Sequence, residues 1–279
     1  MDQPAHPPET VEGWYALHQM FQIDRVALGA LSGGGGWGSG GLVAAKERGV
    51  ATLRALCAPE GEGWSAIAPL ANSTADVMLV HFRATLDEIT AARHRLVGDS
   101  LLRVLRPVYS FLSVTEAGLY HVTARLAREA AERGGAVGDE EYATALDERV
   151  RAEMESEQMQ RRLRPTLPAE KPYISFYPMS KKREVGQNWY TLPLDERSRL
   201  MYSHGMVGRR YAGKIVQVIS GATGLDGWEW GVTLFAADPL EFKKLVTEMR
   251  FDEATSKYGE FGAFYVGRVM EPEEWVAGL

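Results

Sequence analysis

The chain has 279 residues, 45% of them hydrophobic and 24% charged, which suits a globular protein with a real core and excludes a chain disordered throughout. A formal charge of -6, with no dense run of Lys and Arg, removes the phosphate-neutralising footprint of nucleic-acid binding, so no nucleic-acid partner is expected. Cys57 is the one cysteine, no basic stretch leads into an apolar signal core, and no apolar run approaches the roughly 18 residues that span a bilayer; a cytoplasmic protein without a membrane segment is expected.

In chain order, GWYALHQMFQID, WSAIAPL, DVMLVHFRA and VYSFLSV are candidate strands, rich in aromatic and β-branched residues. LVAAKERGVATLRAL is the candidate helix after the first of them, and Thr85 with Glu88 makes a capping box for a second helix through about Leu102. Gly36-Trp37-Gly38-Ser39-Gly40-Gly41 satisfies GxGxxG, but a run of glycines yields such matches cheaply and no alternating βαβ units follow. A flexible glycine-rich insertion at about 29–41 is the better expectation than a dinucleotide site.

TARLAREAAERGG and DEEYATALDERVRAEMESEQMQRRLRP are charged and helix-prone, and they end in the proline-containing TLPAEKP; a solvated helical linker over 121–170 is expected. KPYISFYPM (171–179) follows as a strand closed by Pro178, with Tyr173, Ser175, Tyr177 and Met179 on one face. TLPLDERSRLMYSH reads as a helix capped near Thr191 and ending near Gly205. KIVQVISG (214–221) and WEWGVTLFA (228–236) read as an antiparallel pair. DPLEFKKLVTEMRF is a helix capped by Asp238 with a stripe of Leu240, Leu245, Val246 and Met249, and FGAFYVGRV (261–269) is a closing strand. The order β, α, β, β, α, β is the split motif of a ferredoxin-like α+β unit. The first 120 residues read the same way, so two repeats, 1–120 and 171–279, predict a pseudo-symmetric α+β barrel.

Six histidines show no HxH or HExxH spacing and no CxxC accompanies them, so a multi-histidine zinc centre has no support. His204 lies three and four residues after Met201 and Leu200, on their apolar helix face, beside Gly205 and Gly208, which permit close approach of a planar ligand. Spacing alone fits a packed core histidine equally well. Gln217 alternates with Ile215 and Ile219, a polar group that needs a buried partner or a ligand. Lys181, Lys182, Arg183 and Arg250 offer cations near the same rim, either solvated or matched to carboxylates.

YPMSKKR (177–183), NWYTLPLDERSRLMYSHGMVGRRYAGK (188–214), GLDGWEWGVTLF (224–235) and EMRFDEATSKYGEFGAFYVGR (248–268) closely resemble the coproheme decarboxylase branch of the chlorite dismutase-like superfamily. The resemblance covers nearly everything from Lys171 to Arg268 and, more loosely, GWYALHQMFQID and the VYSFLSV region. It implies two ferredoxin-like repeats in a dimeric α+β barrel, a homopentamer, and iron coproporphyrin III (coproheme) bound by the C-terminal half as both substrate and redox centre. His204 matches the axial iron ligand. Tyr177 matches the redox-active tyrosine, whose peroxide-generated radical takes hydrogen from a propionate β-carbon; carbon dioxide leaves, and the 2- and 4-propionates become the vinyl groups of heme b.

Lys181 resembles the lysine beside the reacting propionate. Gln217 stands where chlorite-decomposing relatives carry an arginine, while Met179, Trp189, Trp228 and Arg250 match pocket or propionate-contacting positions. The resemblance also implies a further propionate contact, for which Arg161, Arg162 and Arg164 compete, and a transient contact with the ferrochelatase that supplies coproheme. The alternatives are a heme carrier or sensor without turnover, and a chlorite dismutase.

Overall fold

The structure is a computed structural model that describes residues 6–32 and 38–279. Its elements run β1 (Thr10–Ile23), α1 (Arg25–Ser32), α2 (Gly38–Cys57), β2 (Gly63–Pro69), β3 (Val77–Arg83), α3 (Leu86–Gly98) and β4 (Leu105–Gly118). A helical middle follows with α4 (Tyr120–Glu132), α5 (Glu140–Met154) and α6 (Glu157–Leu163). The second half has β5 (Tyr173–Lys181), α7 (Leu194–Arg209), β6 (Ile215–Gly221), β7 (Trp230–Ala236), α8 (Leu240–Met249), α9 (Glu253–Ser256), β8 (Gly259–Phe261), β9 (Tyr265–Arg268) and α10 (Pro272–Ala277).

All nine strands lie in one sheet of antiparallel ladders, in the order β2-β3-β1-β4-β6-β7-β5-β8, with β9 also on β5. Each half thus repeats one strand order, β4-β1-β3-β2 and β8/β9-β5-β7-β6. The halves join where β4 meets β6, and the Ser113 hydroxyl donates to Ser220 across that seam at 2.8 Å. On the opposite side isolated bridges tie Leu70 to Gly267 and Ile67 to Met270, bringing the sheet round into a barrel. A Cβ at Gly267 would collide with the Pro69 carbonyl, so closure depends on a residue without one.

Alternation sorts the strand residues into two environments. Inside the barrel, Ala16, Met20, Phe82, Phe111, Phe176, Val218 and Phe235 form a core contributed by both halves. Outside the N-terminal half, Leu53, Leu56, Ile67, Leu79 and Leu96 pack the sheet against α2 and α3. Outside the C-terminal half, Tyr177, Ile215, Val232, Leu234, Phe242 and Leu245 do the same beneath α8.

The capping box forms as expected: the Glu88 amide donates to the Thr85 hydroxyl at 3.2 Å and the Thr85 amide to the Glu88 carboxylate at 3.0 Å. Its helix ends at Gly98, short of Leu102, which lies in a 3-10 turn. The dinucleotide reading falls with the antiparallel sheet. Of the glycine-rich stretch, residues 33–37 lie outside the described residues, while α1 and α2 occupy its flanks.

Several boundaries differ from expectation. Thr191 belongs to a 3-10 turn, and α7 starts behind Pro193 and runs past Gly205 to Arg209. Pro178 lies within β5, and the closing strand is split into β8 and β9. On α8, Leu240 is exposed and Phe242 takes its place on the buried stripe. The middle segment is helical, but α4 is not a solvated linker. It buries Thr123, Ala124, Leu126, Ala127 and Ala130, and Ala124 and Ala127 cluster with Leu194 of α7. Small residues let the two helices approach closely, a property that charge counting does not register. Behind α6 the chain crosses one end of the barrel. There the Thr115 hydroxyl donates to the Leu163 carbonyl at 2.6 Å and the Trp64 indole to the Pro165 carbonyl at 2.7 Å.

Candidate functional site

His204 projects from α7 toward α9. Its Nδ1 lies 2.9 Å from Asp252 Oδ2 and 3.3 Å from the Thr255 hydroxyl, and the Asp252 side chain is only 1% exposed. Asp252 is held by its own helix turn, since it caps α9 and accepts from the Thr255 amide and hydroxyl, each at 3.2 Å. Burial pushes the Asp252 carboxyl up, but the hydrogen bond and charge of His204 and the Thr255 bonds outweigh it and hold the carboxyl below its usual range. A fixed carboxylate on Nδ1 selects the tautomer with hydrogen there and leaves the Nε2 lone pair as a donor. The imidazole is 28% exposed, Nε2 has no protein partner among the described residues, and a Cβ at the neighbouring Gly205 would meet nothing within 4 Å. Gly205 thus leaves open space beside the ring, whereas a Cβ at Gly208 would meet the Met249 side chain at 3.4 Å.

Tyr177, Met179 and Lys181 follow one another along the outer face of β5. Tyr177 is buried, stacked on Phe264 at a centroid distance of 4.4 Å and tilted against Phe261 at 5.9 Å. Burial raises its phenol above the ordinary value, and the nearby Arg250 opposes that rise. Arg250 closes α8 with its guanidinium 4.4 Å from the Phe261 ring centre, so Tyr177, Phe261, Phe264 and Arg250 form one group. Met179 packs in the same outer cluster, opposite Trp230 on β7.

Lys181 is buried beside α9. Its ammonium donates to the Ala254 carbonyl at 2.8 Å and sits 4.3 Å from the centre of the Trp189 ring. Burial lowers its pKa to about 8, while Asp252 and Glu229 pull in the other direction. Lys181 thus lies between the strand that carries Tyr177 and the helix turn that anchors His204. Trp189 is 1% exposed and packs with Leu200, Ala254 and Tyr258, so it forms the wall behind Lys181.

Other expected site residues fall elsewhere. Gln217 shares the outer face of β6 with Ile215 and Ile219, but it is exposed, so the expectation of a buried partner does not hold. Trp228 packs against the barrel-interior cluster and lies against Pro178 and Gly262, so it is not brought together with the Tyr177 face. Arg161 pairs with Glu157 at 2.9 Å and Arg164 with Glu62 at 4.0 Å, and α6 packs on β1 and β4. None of Arg161, Arg162 and Arg164 bonds to the residues around Tyr177. Asp252 and Thr255 were missed in the sequence. The only local signal was an aspartate three residues before a threonine, which marks a helix cap and says nothing of a histidine 48 residues away.

Among the described residues no three His, Cys, Asp or Glu side chains converge to hold a metal ion, and no helix is long and apolar enough to cross a membrane. The donor set fits an iron porphyrin instead, which needs one oriented imidazole from the protein and supplies its other in-plane ligands itself.

The sequence model of the chlorite dismutase family matches residues 46–270. A coproheme decarboxylase from Staphylococcus saprophyticus is 38% identical over 271 residues, covering 94% of each chain. A solved heme-binding protein from Thermus thermophilus is 35% identical with a TM-score of 0.78 and covers 100% of both chains. A chlorite dismutase from Candidatus Nitrospira defluvii, solved with imidazole, has a TM-score of 0.68 over 96% of this chain and 95% of its own; at 17% identity it shows the fold alone. With two ferredoxin-like repeats closed into one barrel, and with relatives that match along nearly their whole length, the chain belongs to the chlorite dismutase family.

Proposed function

We propose that this protein is a hydrogen-peroxide-dependent coproheme decarboxylase that converts the 2- and 4-propionates of coproheme to vinyl groups and releases heme b. The observation that carries the proposal is one outer face that presents an imidazole with its Nδ1 fixed by a buried carboxylate, a buried tyrosine, and a buried lysine between them. The 38% identity to a coproheme decarboxylase supports the substrate class.

Bound coproheme supplies both the peroxide-reactive iron and the propionate that is lost. His204 would hold the iron through Nε2, with Asp252 keeping the ring in that tautomer and orientation. Tyr177, held as a neutral phenol by its apolar surroundings, would pass a hydrogen atom to the peroxide-derived oxidant and as a radical take one from the propionate β-carbon. Loss of a second electron to the same two-electron oxidant would then break the bond to the carboxylate, release carbon dioxide and leave the vinyl group. Per propionate, one peroxide and one proton are consumed, and one vinyl group, one carbon dioxide and two waters result. Lys181 orients the reacting carboxylate, with Trp189 behind it. Met179, Gln217 and Arg250 complete the surroundings of the porphyrin, and residues 171–279 form the binding half. The working form is a cytoplasmic homopentamer that receives coproheme from a ferrochelatase.

The test is Tyr177→Phe loaded with coproheme and titrated with peroxide, with porphyrin mass spectra as the readout. Coproheme should bind as in the parent while vinyl formation slows about a hundredfold or more, equivalent to about 2.7 kcal/mol of barrier. Vinyl formation at the parent rate would remove the tyrosine from the mechanism. Intact propionates in the parent would point to a carrier, and oxygen release from chlorite to a dismutase.

A further inference from the structure

Tyr177 and Phe264 stack on the outer face of the β5–β9 ladder, and their chain neighbours Phe176 and Tyr265 are paired in register across the same ladder and point to the inner face. Phe176 and Tyr265 stack at 6.3 Å, and Tyr265 stacks nearly parallel on Tyr109 of β4, with centroids 5.7 Å apart and planes at 12°. One ring stack and one peptide unit therefore separate the buried Tyr177 from a pair of stacked phenols inside the barrel. The two phenols differ in access. The Tyr109 oxygen is sealed and has no hydrogen-bond partner, whereas Tyr265 is half-buried and its oxygen is not sealed. Neither residue touches the His204, Asp252 or Lys181 group, and packing alone would be served equally by phenylalanine.

We infer that Tyr265, with Tyr109 stacked on it, is an auxiliary hole acceptor that drains the Tyr177 radical when no propionate is in place to be oxidised. This inference rests on the radical role proposed for Tyr177. The step is a net hydrogen-atom exchange. Tyr265 loses an electron across the ladder and its phenolic proton to solvent, Tyr177 gains an electron and recovers a proton on the pocket side, and the Tyr265 radical and the Tyr177 phenol result. Peroxide, already a substrate of the proposed reaction, is the only oxidant needed. The stacked Tyr109 ring shares the deficit of electron density and so favours the hole on Tyr265. Its own buried hydroxyl has no acceptor for a proton, which makes Tyr109 a poor final site.

The experiment uses the coproheme-loaded chain, given two equivalents of peroxide to complete turnover and then an excess. In the parent, freeze-quench electron paramagnetic resonance should show a tyrosyl radical during the excess phase, and peptide mass spectrometry should map oxidation to Tyr265. In Tyr265→Phe, heme formation from the first two equivalents should match the parent, Tyr265-centred oxidation is gone, and bleaching of the heme by excess peroxide should be several-fold faster. Parent-like bleaching together with no oxidation at Tyr265 in the parent overturns the relay. If the parent forms a radical at Tyr177 but none at Tyr265, only the relay fails. If it forms no tyrosyl radical at all while still making vinyl groups, the Tyr177 role and the relay both fail.

Discussion

The two halves of the barrel repeat one strand order, yet His18 and His81 in one half and His204 in the other live in opposite environments. In the N-terminal half His18 and His81 are fully buried, and both are pushed down to a pKa of about 3. Burial is the main cause for each, reinforced for His18 by His81 and for His81 by Arg83. His18 stacks on Phe176 at 4.0 Å and pairs through Nε2 with the Thr233 hydroxyl at 2.9 Å, joining the halves through the barrel interior, and His81 pairs with the Ser65 hydroxyl at 2.7 Å. His204, in the other half, keeps an open nitrogen and a buried carboxylate behind it. An imidazole becomes a ligand through what holds its second nitrogen and what is left in front of the first, and the same fold can provide either setting.

Replacing His204, the proposed ligand, should have the largest effect. His204→Ala should weaken coproheme retention about a hundredfold or more, about 2.7 kcal/mol, with a changed Soret band. Retention at the parent level would mean that the C-terminal imidazole is as structural as its N-terminal counterparts.

Acid should act on the other half. His18 and His81 stay neutral when folded down to about pH 3, but once unfolded they take up protons below about pH 6.5. Unfolding therefore binds more protons in that window. Stability is fully present above about pH 6.5 and is lost as pH falls toward 3, by about 1.4 kcal/mol per pH unit for each histidine. His81→Phe should remove about one proton from the uptake measured by denaturant titration across pH 6.5 to 4. An unchanged slope would show that His81 is already charged in the folded state.

The smallest change expected is at Ile67, fully buried against the N-terminal helices. Ile67→Val should cost about 1 kcal/mol in chemical denaturation and leave coproheme affinity at the parent value. A loss of affinity would show that the N-terminal half is more than a scaffold.

Much of this architecture is legible residue by residue. The apolar, aromatic and β-branched runs YISFYPM and VMLVHFR are local signals of buried strands, and the Thr85–Glu88 box is written in four consecutive residues. The exposed Gln217, the inward Trp228 and the buried face of α4 were not legible, because each depends on which distant element packs opposite. Asp252 belongs to the same class: its cap role is local, whereas its bond to His204 spans 48 residues.

Sequence by itself determined the two α+β repeats, the strand faces, and the identities of His204, Tyr177 and Lys181 as residues worth following. Backbone periodicity and side-chain chemistry are carried by neighbours in the chain, so they survive without coordinates. Tertiary structure alone decided that Asp252 stands behind His204, that Lys181 is enclosed between α9 and Trp189, and that Tyr109 lies on Tyr265. Those relations arise only when the sheet closes, because burial and contact are properties of the space between elements rather than of the elements.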